Sequence, residues 1–116
     1  MGEQFAHMHN VRLDWLRPSA PALLSGLAKV ATGMAEDKDQ LRGALDDSGQ
    51  AIESLLRQGL AAGGKIKGFK PHLVGFLGYF IAHESSHRGE IGIILAQSGH
   101  PLDKDIAYGL WDWGRR

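Results

Sequence analysis

The sequence predicts an all-α protein, an antiparallel helical bundle. Apolar residues recur at three- and four-residue intervals through three long stretches. Proline and glycine punctuate the gaps, at Pro18 and Pro21, at Gly63 and Gly64, and at Gly99 and Pro101. No stretch alternates apolar and polar residues as a half-buried strand would, and no internal repeat or low-complexity tract interrupts the pattern. At 116 residues the chain is expected to be one domain, 1–116, with a core of its own.

The first helix is expected over 3–17. Phe5, Met8, Val11 and Trp15 form one stripe, widened by Leu16, and Pro18 ends it. The stretch 22–34 is apolar but broken by Gly26 and Gly33, and reads equally as a short helix or a packed connection. A second long helix is expected over 37–60. Glu36, Asp37 and Asp39 sit at its start, where the helix dipole favours them, and Leu41, Leu45, Ile52, Leu55 and Leu56 repeat at helical spacing. Gly43 and Gly49 each cost about 1 kcal/mol of helix propensity relative to Ala, so tertiary packing must hold this element. Residues 65–70 connect it to a third helix, 72–97, whose first turn suits Pro71 and whose end is set by Gly99 and Pro101. The tail, 103–116, is expected to form a short amphipathic helix, packing Ile106, Leu110, Trp111 and Trp113 back onto the body.

Thirteen basic and thirteen acidic side chains leave no formal net charge, which argues against binding nucleic acid through bulk electrostatics. Lys65, Lys67, Lys70 and His72 make one mildly basic connection, read as a solvated loop. The absence of cysteine excludes disulfides, thiolate metal sites and nucleophilic Cys chemistry. The start lacks the regions of a signal peptide, and no apolar stretch approaches the ~20 residues of a membrane span. A cytoplasmic protein without membrane or nucleic-acid partners is expected.

The chemistry concentrates in the third helix. His83 and His87 are four apart, one turn from each other on one face, and that face also carries Phe76, Phe80, Ile91 and Ile94. Two imidazoles interrupting an apolar seam need partners for their ring nitrogens. A shared divalent ion satisfies one nitrogen of each, although a pair of this spacing also arises often by chance. His72 and His100 fall at a helix start and in a terminating turn, where a surface role is expected. His7 and His9 lie on an amphipathic helix that must pack against the third. Projection puts His9 slightly nearer the apolar stripe, whereas His7 shares a row with Val11 and Trp15, so periodicity leaves both open as a third ligand.

Three segments carry a family resemblance. His7-Met8-His9-Asn10-Val11-Arg12-Leu13-Asp14-Trp15-Leu16, His83-Glu84-Ser85-Ser86-His87-Arg88-Gly89-Glu90-Ile91 and Tyr108-Gly109-Leu110-Trp111-Asp112-Trp113-Gly114 together resemble the DinB/YfiT-like family of small metal-binding helical bundles. The resemblance spans nearly the whole chain in order. It implies a four-helix type of bundle from which the first helix is missing here, so that the bundle is open on one side, the true start lies upstream, or a second subunit covers the exposed stripe; a homodimer is the expected solution. It implies His7, His83 and His87 as ligands of one divalent ion, with His9 in reserve and Zn, Ni, Fe or Cu all suited to imidazole. Where relatives carry His-His-Arg-Gly-Gln, this chain has Ser86 and Glu90. Glu90, one turn past His87, is the candidate catalytic group for proton transfer, an orienting partner or a further ligand, and Glu84 is a second proton-transfer candidate.

The open three-His site that the resemblance implies makes an enzyme the first expectation. The resemblance implies a metal-dependent S-transferase or hydrolase, in which the ion lowers the pKa of a coordinated thiol or water. With no cysteine in the chain, the thiol must be a low-molecular-weight cosubstrate. Tyr79, Trp15 and Trp111 are candidate pocket walls. The alternative is a non-catalytic metal-binding or stress-response module. The family's name refers to DNA-damage induction, which concerns expression rather than DNA binding.

Overall fold

The computed structural model describes residues 1–112 and Gly114. Its elements are α1 (Gly2–Ser19), α2 (Lys38–Ala61), α3 (Leu73–Gln97) and a short α4 (Lys104–Tyr108), with 3₁₀ turns at Pro21–Leu24, Thr32–Met34 and Gly109–Trp111. Among the described residues there is no strand, only an isolated bridge between Ile66 and Phe69 in the α2–α3 connection. The protein is an all-α helical bundle.

Local chemistry sets each boundary. Pro18 lies inside the last turn of α1 rather than beyond it, and the chain leaves the helix only at Ala20, whose N–H still donates to the Leu16 carbonyl. Asp37 caps α2 by accepting from the Gln40 N–H at 2.9 Å. His72 caps α3 in the same way, its Nδ1 accepting from the Val74 N–H at 3.3 Å, so Pro71 stands just outside the helix instead of in its first turn. At the far end Gly99 takes a φ of +80°, and the His100 N–H reaches back to the Leu95 carbonyl, a Schellman closure that needs a residue without a Cβ.

The helices do not simply alternate in direction. Gly2 approaches Ala35 and Leu41, His9 reaches Ala44, Arg12 reaches Ser48, and Leu16 packs with Ala51, Ile52 and Leu55. Contacts that climb both helices together mean that α1 and α2 run parallel. The connector 20–37 makes this possible by crossing back over their flank. Leu23, Leu24 and Leu27 pack on the main core, Val30 joins a second cluster, and Asn10 both donates to and accepts from the Val30 backbone. The stretch 22–34 is therefore a packed connection carrying two single 3₁₀ turns. Antiparallel packing, as expected, describes α3 against both neighbours: Trp15 meets Phe76 while His7, nearer the start of α1, meets His87.

The main core joins Leu16, Ala51, Ile52, Leu55, Ile66, Phe76 and Phe80, with Trp15 and Phe69 at its edge. Gly59 lets the α2–α3 connection close over it, because a Cβ there would lie 2.5 Å from Ile66 Cδ1 and 2.8 Å from Leu73 Cδ1. A smaller cluster of Ala6, Val30, Ala35 and Leu41 secures the start of α1. The buried face of α1 is thus Ala6, His9, Leu13 and Leu16, with Met8 beside it; Phe5, Val11 and Trp15 of the expected stripe are only half-buried. On α3, Val74, Leu77 and Ile81 stay exposed. The tail departs from expectation: Ile106 and Trp111 are exposed, while the Leu110 side chain and Trp113 lie outside what is described. No helix among the described residues is long and apolar enough to cross a membrane.

Candidate metal centre

Beyond the aromatic part of the core, the seam between α1 and α3 changes character. His83 and His87 stand one turn apart on α3, and the antiparallel packing sets His7 of α1 against them. The Nε2 atoms of His83 and His87 are 3.2 Å apart, and those of His7 and His83 are 3.4 Å apart. Three imidazole nitrogens about 2.0–2.1 Å from one zinc ion at tetrahedral angles lie about 3.3–3.4 Å from one another. The ligand atoms of the three all lie within 4.8 Å of one another, a group that could hold a metal ion. His7 is exposed and the other two are half-buried, so the group sits at the surface end of the seam.

The tautomer of His87 is fixed from behind. Its Nδ1–H points at Gln4 Oε1, 2.5 Å away, and at Glu90 Oε2, 3.3 Å away. Both oxygens only accept, so the proton sits on Nδ1 and the lone pair on Nε2 faces the cluster. Glu90 thus contacts the nitrogen remote from the group of three. His83 differs. Its Nδ1 is buried with no hydrogen-bond partner among the described residues, and its pKa lies below the ordinary 6.5. Burial lowers it most, the neighbouring charges of His87 and His7 lower it further, and Glu84 opposes them. A neutral imidazole with a free lone pair is the form a metal needs.

Two residues apart on α1, His7 and His9 have opposite surroundings. His9 is fully buried, with Nδ1 2.8 Å from the Ala44 carbonyl oxygen and Nε2 2.9 Å from that of Ala28. Both nitrogens face carbonyl oxygens of the core, one on α2 and one in the connector, and a neutral ring donates to one of them. This removes His9 as a reserve ligand: its position nearer the apolar stripe took it into the core and away from α3. His72 and His100 are exposed, as expected.

Of the candidate walls, Trp15 and Tyr79 meet edge to face at 5.5 Å, and Tyr79 lies beside His83 with ring planes 14° apart and centroids at 5.8 Å. Trp111, 72 % exposed, takes no part. Glu84 is held by Arg12 through two hydrogen bonds of 2.7 and 2.9 Å, which occupies both oxygens of the second proton-transfer candidate. Among the described residues nothing lies within 4 Å of where a Cβ on Gly89 would be, so no helix packs closely there. The open grooves along α3 run past Ile81, Ser85 and Arg88, on the side away from the three histidines. The basic connection of Lys65, Lys67 and Lys70 is solvated.

Gln4 and Arg12 were not anticipated from the sequence. Gln4 lies three residues before His7, a helical neighbour of it, and this is the one local signal that pointed to it. Comparison with known protein families, with curated proteins and with solved structures returns no match for this chain.

Proposed function

We propose that this chain is a divalent-metal-binding protein of the DinB/YfiT-like type, a metal-dependent enzyme that transfers or hydrolyses a small substrate. The observation that carries the reading is the convergence of three imidazoles from two helices, their ligand atoms within 4.8 Å of one another and two Nε2 pairs at 3.2 and 3.4 Å. Three imidazole nitrogens leave room for an exogenous ligand, the feature that separates catalytic from structural sites. Zn, Ni or Fe suits this donor set. A bound ion would supply the positive charge that makes a thiol or water acidic at neutral pH. His7 and His83 would hold it from the two sides of the seam, and His87 would hold it with its ring oriented by Gln4 and Glu90. In this reading Glu90 orients His87 rather than carrying the substrate's proton. Exposed His7 leaves the approach open from solvent, which suits a small cosubstrate such as a low-molecular-weight thiol. Tyr79 and Trp15 offer an aromatic wall beside it.

The test is metal analysis of the purified chain, followed by cobalt substitution. The expected result is one divalent ion per chain and a cobalt spectrum that changes on addition of a small thiol. A stoichiometric ion whose spectrum ignores thiols, in a protein without ester or amide hydrolysis, favours the second reading, a non-catalytic metal-binding module. That reading has its own support, since an ion held by His7, His83 and His87 would also staple α1 to α3.

A further inference from the structure

Arg12 is the one side chain of α1 that bonds to both other long helices. Its Nε and Nη2 donate to the two oxygens of Glu84 on α3, at 2.7 and 2.9 Å. Its Nη1 donates to the Leu45 carbonyl at 2.8 Å and to Ser48 Oγ at 3.2 Å, both on α2. Ser48 is fully buried, and the Arg12 and Glu84 side chains are 14 % and 31 % exposed. A forked, partly desolvated pair with a second anchor is unlike a surface ion pair, whose contribution is usually small. A lysine could not reproduce it, because its point charge has no fork.

The place of this clamp gives it a task. Glu84 follows His83 directly and lies on the turn between His83 and His87, while Arg12 lies between His7 and Trp15 on α1. The phenylalanine packing of the seam ends at Phe80, and beyond it Tyr79 reaches His83 through one stacked contact. A slip of one residue between two helices displaces side chains by about 1.5 Å and turns them by about 100°. A metal site tolerates about 0.2 Å in its bond lengths. Apolar contacts are poor at enforcing such register, whereas two parallel hydrogen bonds to a carboxylate allow one arrangement.

We infer that Arg12 is a positioning residue of the metal centre: clamped to Glu84 and anchored on α2, it fixes the register of α1 against α3 that brings His7 onto His83 and His87. The inference rests on the metal-binding reading of the three histidines. It makes affinity for the ion depend on a side chain that touches neither ion nor ligand.

The experiment is a Co(II) titration of the full chain, read by absorption, with helicity followed by circular dichroism. Arg12→Lys is expected to keep its helicity, to bind Co(II) about 10–100-fold more weakly, and to show an altered visible spectrum. Glu84→Gln, which keeps the shape of Glu84 and removes its charge, is expected to do the same to a smaller degree, and decides the matter if Arg12→Lys fails to fold. Leu55→Ala, which loosens the core on α2, serves as the control and is expected to keep the wild-type affinity and spectrum. Wild-type affinity and spectrum in both clamp variants would overturn the inference, as would an equal loss in Leu55→Ala, which would mean general destabilisation. A wild-type chain that binds no Co(II) removes the metal reading and the inference with it; a wild-type chain that binds while the clamp variants match it removes the inference alone.

Discussion

Trp15 and His7 lie on the same face of α1 and meet the same partner helix, but the two ends of that seam obey different physics. Around Trp15 the contacts are aromatic, with Phe69 and Phe76 each at 5.6 Å and nearly perpendicular to it. Such packing is strong in sum and forgiving in detail, since each ring pair tolerates a range of offsets. Around His7 the contacts are directional. A lone pair has to point at one place, the proton of His87 has to be held on the far nitrogen, and the clamp of Arg12 and Glu84 has to be closed. The aromatic end holds the two helices together; the polar end decides how they are aligned.

The largest effect should come from breaking the aromatic end. Phe76 is fully buried and touches Trp15, Phe69 and Phe80. Phe76→Ala should cost about 3–5 kcal/mol in chemical denaturation and take the metal centre with it when the bundle opens. Breaking the polar end should look different. His83→Ala, His87→Ala or His7→Ala should weaken binding of a divalent ion by at least ~100-fold while the apoprotein keeps its helical circular dichroism. Isothermal titration of each variant checks this, and retained affinity in all three would remove the three-histidine site. His9→Ala sharpens the contrast from within one helix. It empties a fully buried position and removes the hydrogen bond from the ring to a core carbonyl, so stability should fall by about 2–3 kcal/mol while the folded fraction still binds the ion. The smallest effect is expected from Glu90→Gln. The amide oxygen still accepts from His87 Nδ1, so affinity should change only a few-fold, whereas Glu90→Ala should do more; a large loss in the Gln variant would instead make Glu90 a ligand.

Much of this arrangement was legible in the sequence, and the illegible parts share a cause. Three helical stretches and their stops could be read because periodicity and the residues at Asp37, Gly63 and Gly99 are local signals. His83 and His87 could be read because four residues is one turn, whatever lies nearby. The choice between His7 and His9 could not, because it depends on which side of α1 receives α2 and which receives α3. That in turn depends on α1 and α2 running parallel, a consequence of how the connector 20–37 crosses. Gln4 and Arg12 went unread for the same reason: a polar residue on a half-buried helix carries no mark of the partner it will meet. Trp111 misled in the opposite direction, since a tryptophan in a tail suggests burial and this one is exposed.

The start of α1 carries one more consequence. Ala35 places its carbonyl oxygen where a side chain on Gly2 would have to be, and Leu41 Cδ1 lies 3.5 Å from the same point. Helix ends ordinarily open and close at little cost. Here the first turn is seated against the chain that enters α2, on the side of α1 away from His7. Gln4 and His7 follow within the next two turns. An ion held between α1 and α3 leaves fastest when that end of α1 lifts, so the seat under Gly2 governs a lifetime more than an affinity. A methyl group at Gly2 would be felt across the width of the helix as quicker exchange of the metal, at a site whose ligands had not been altered.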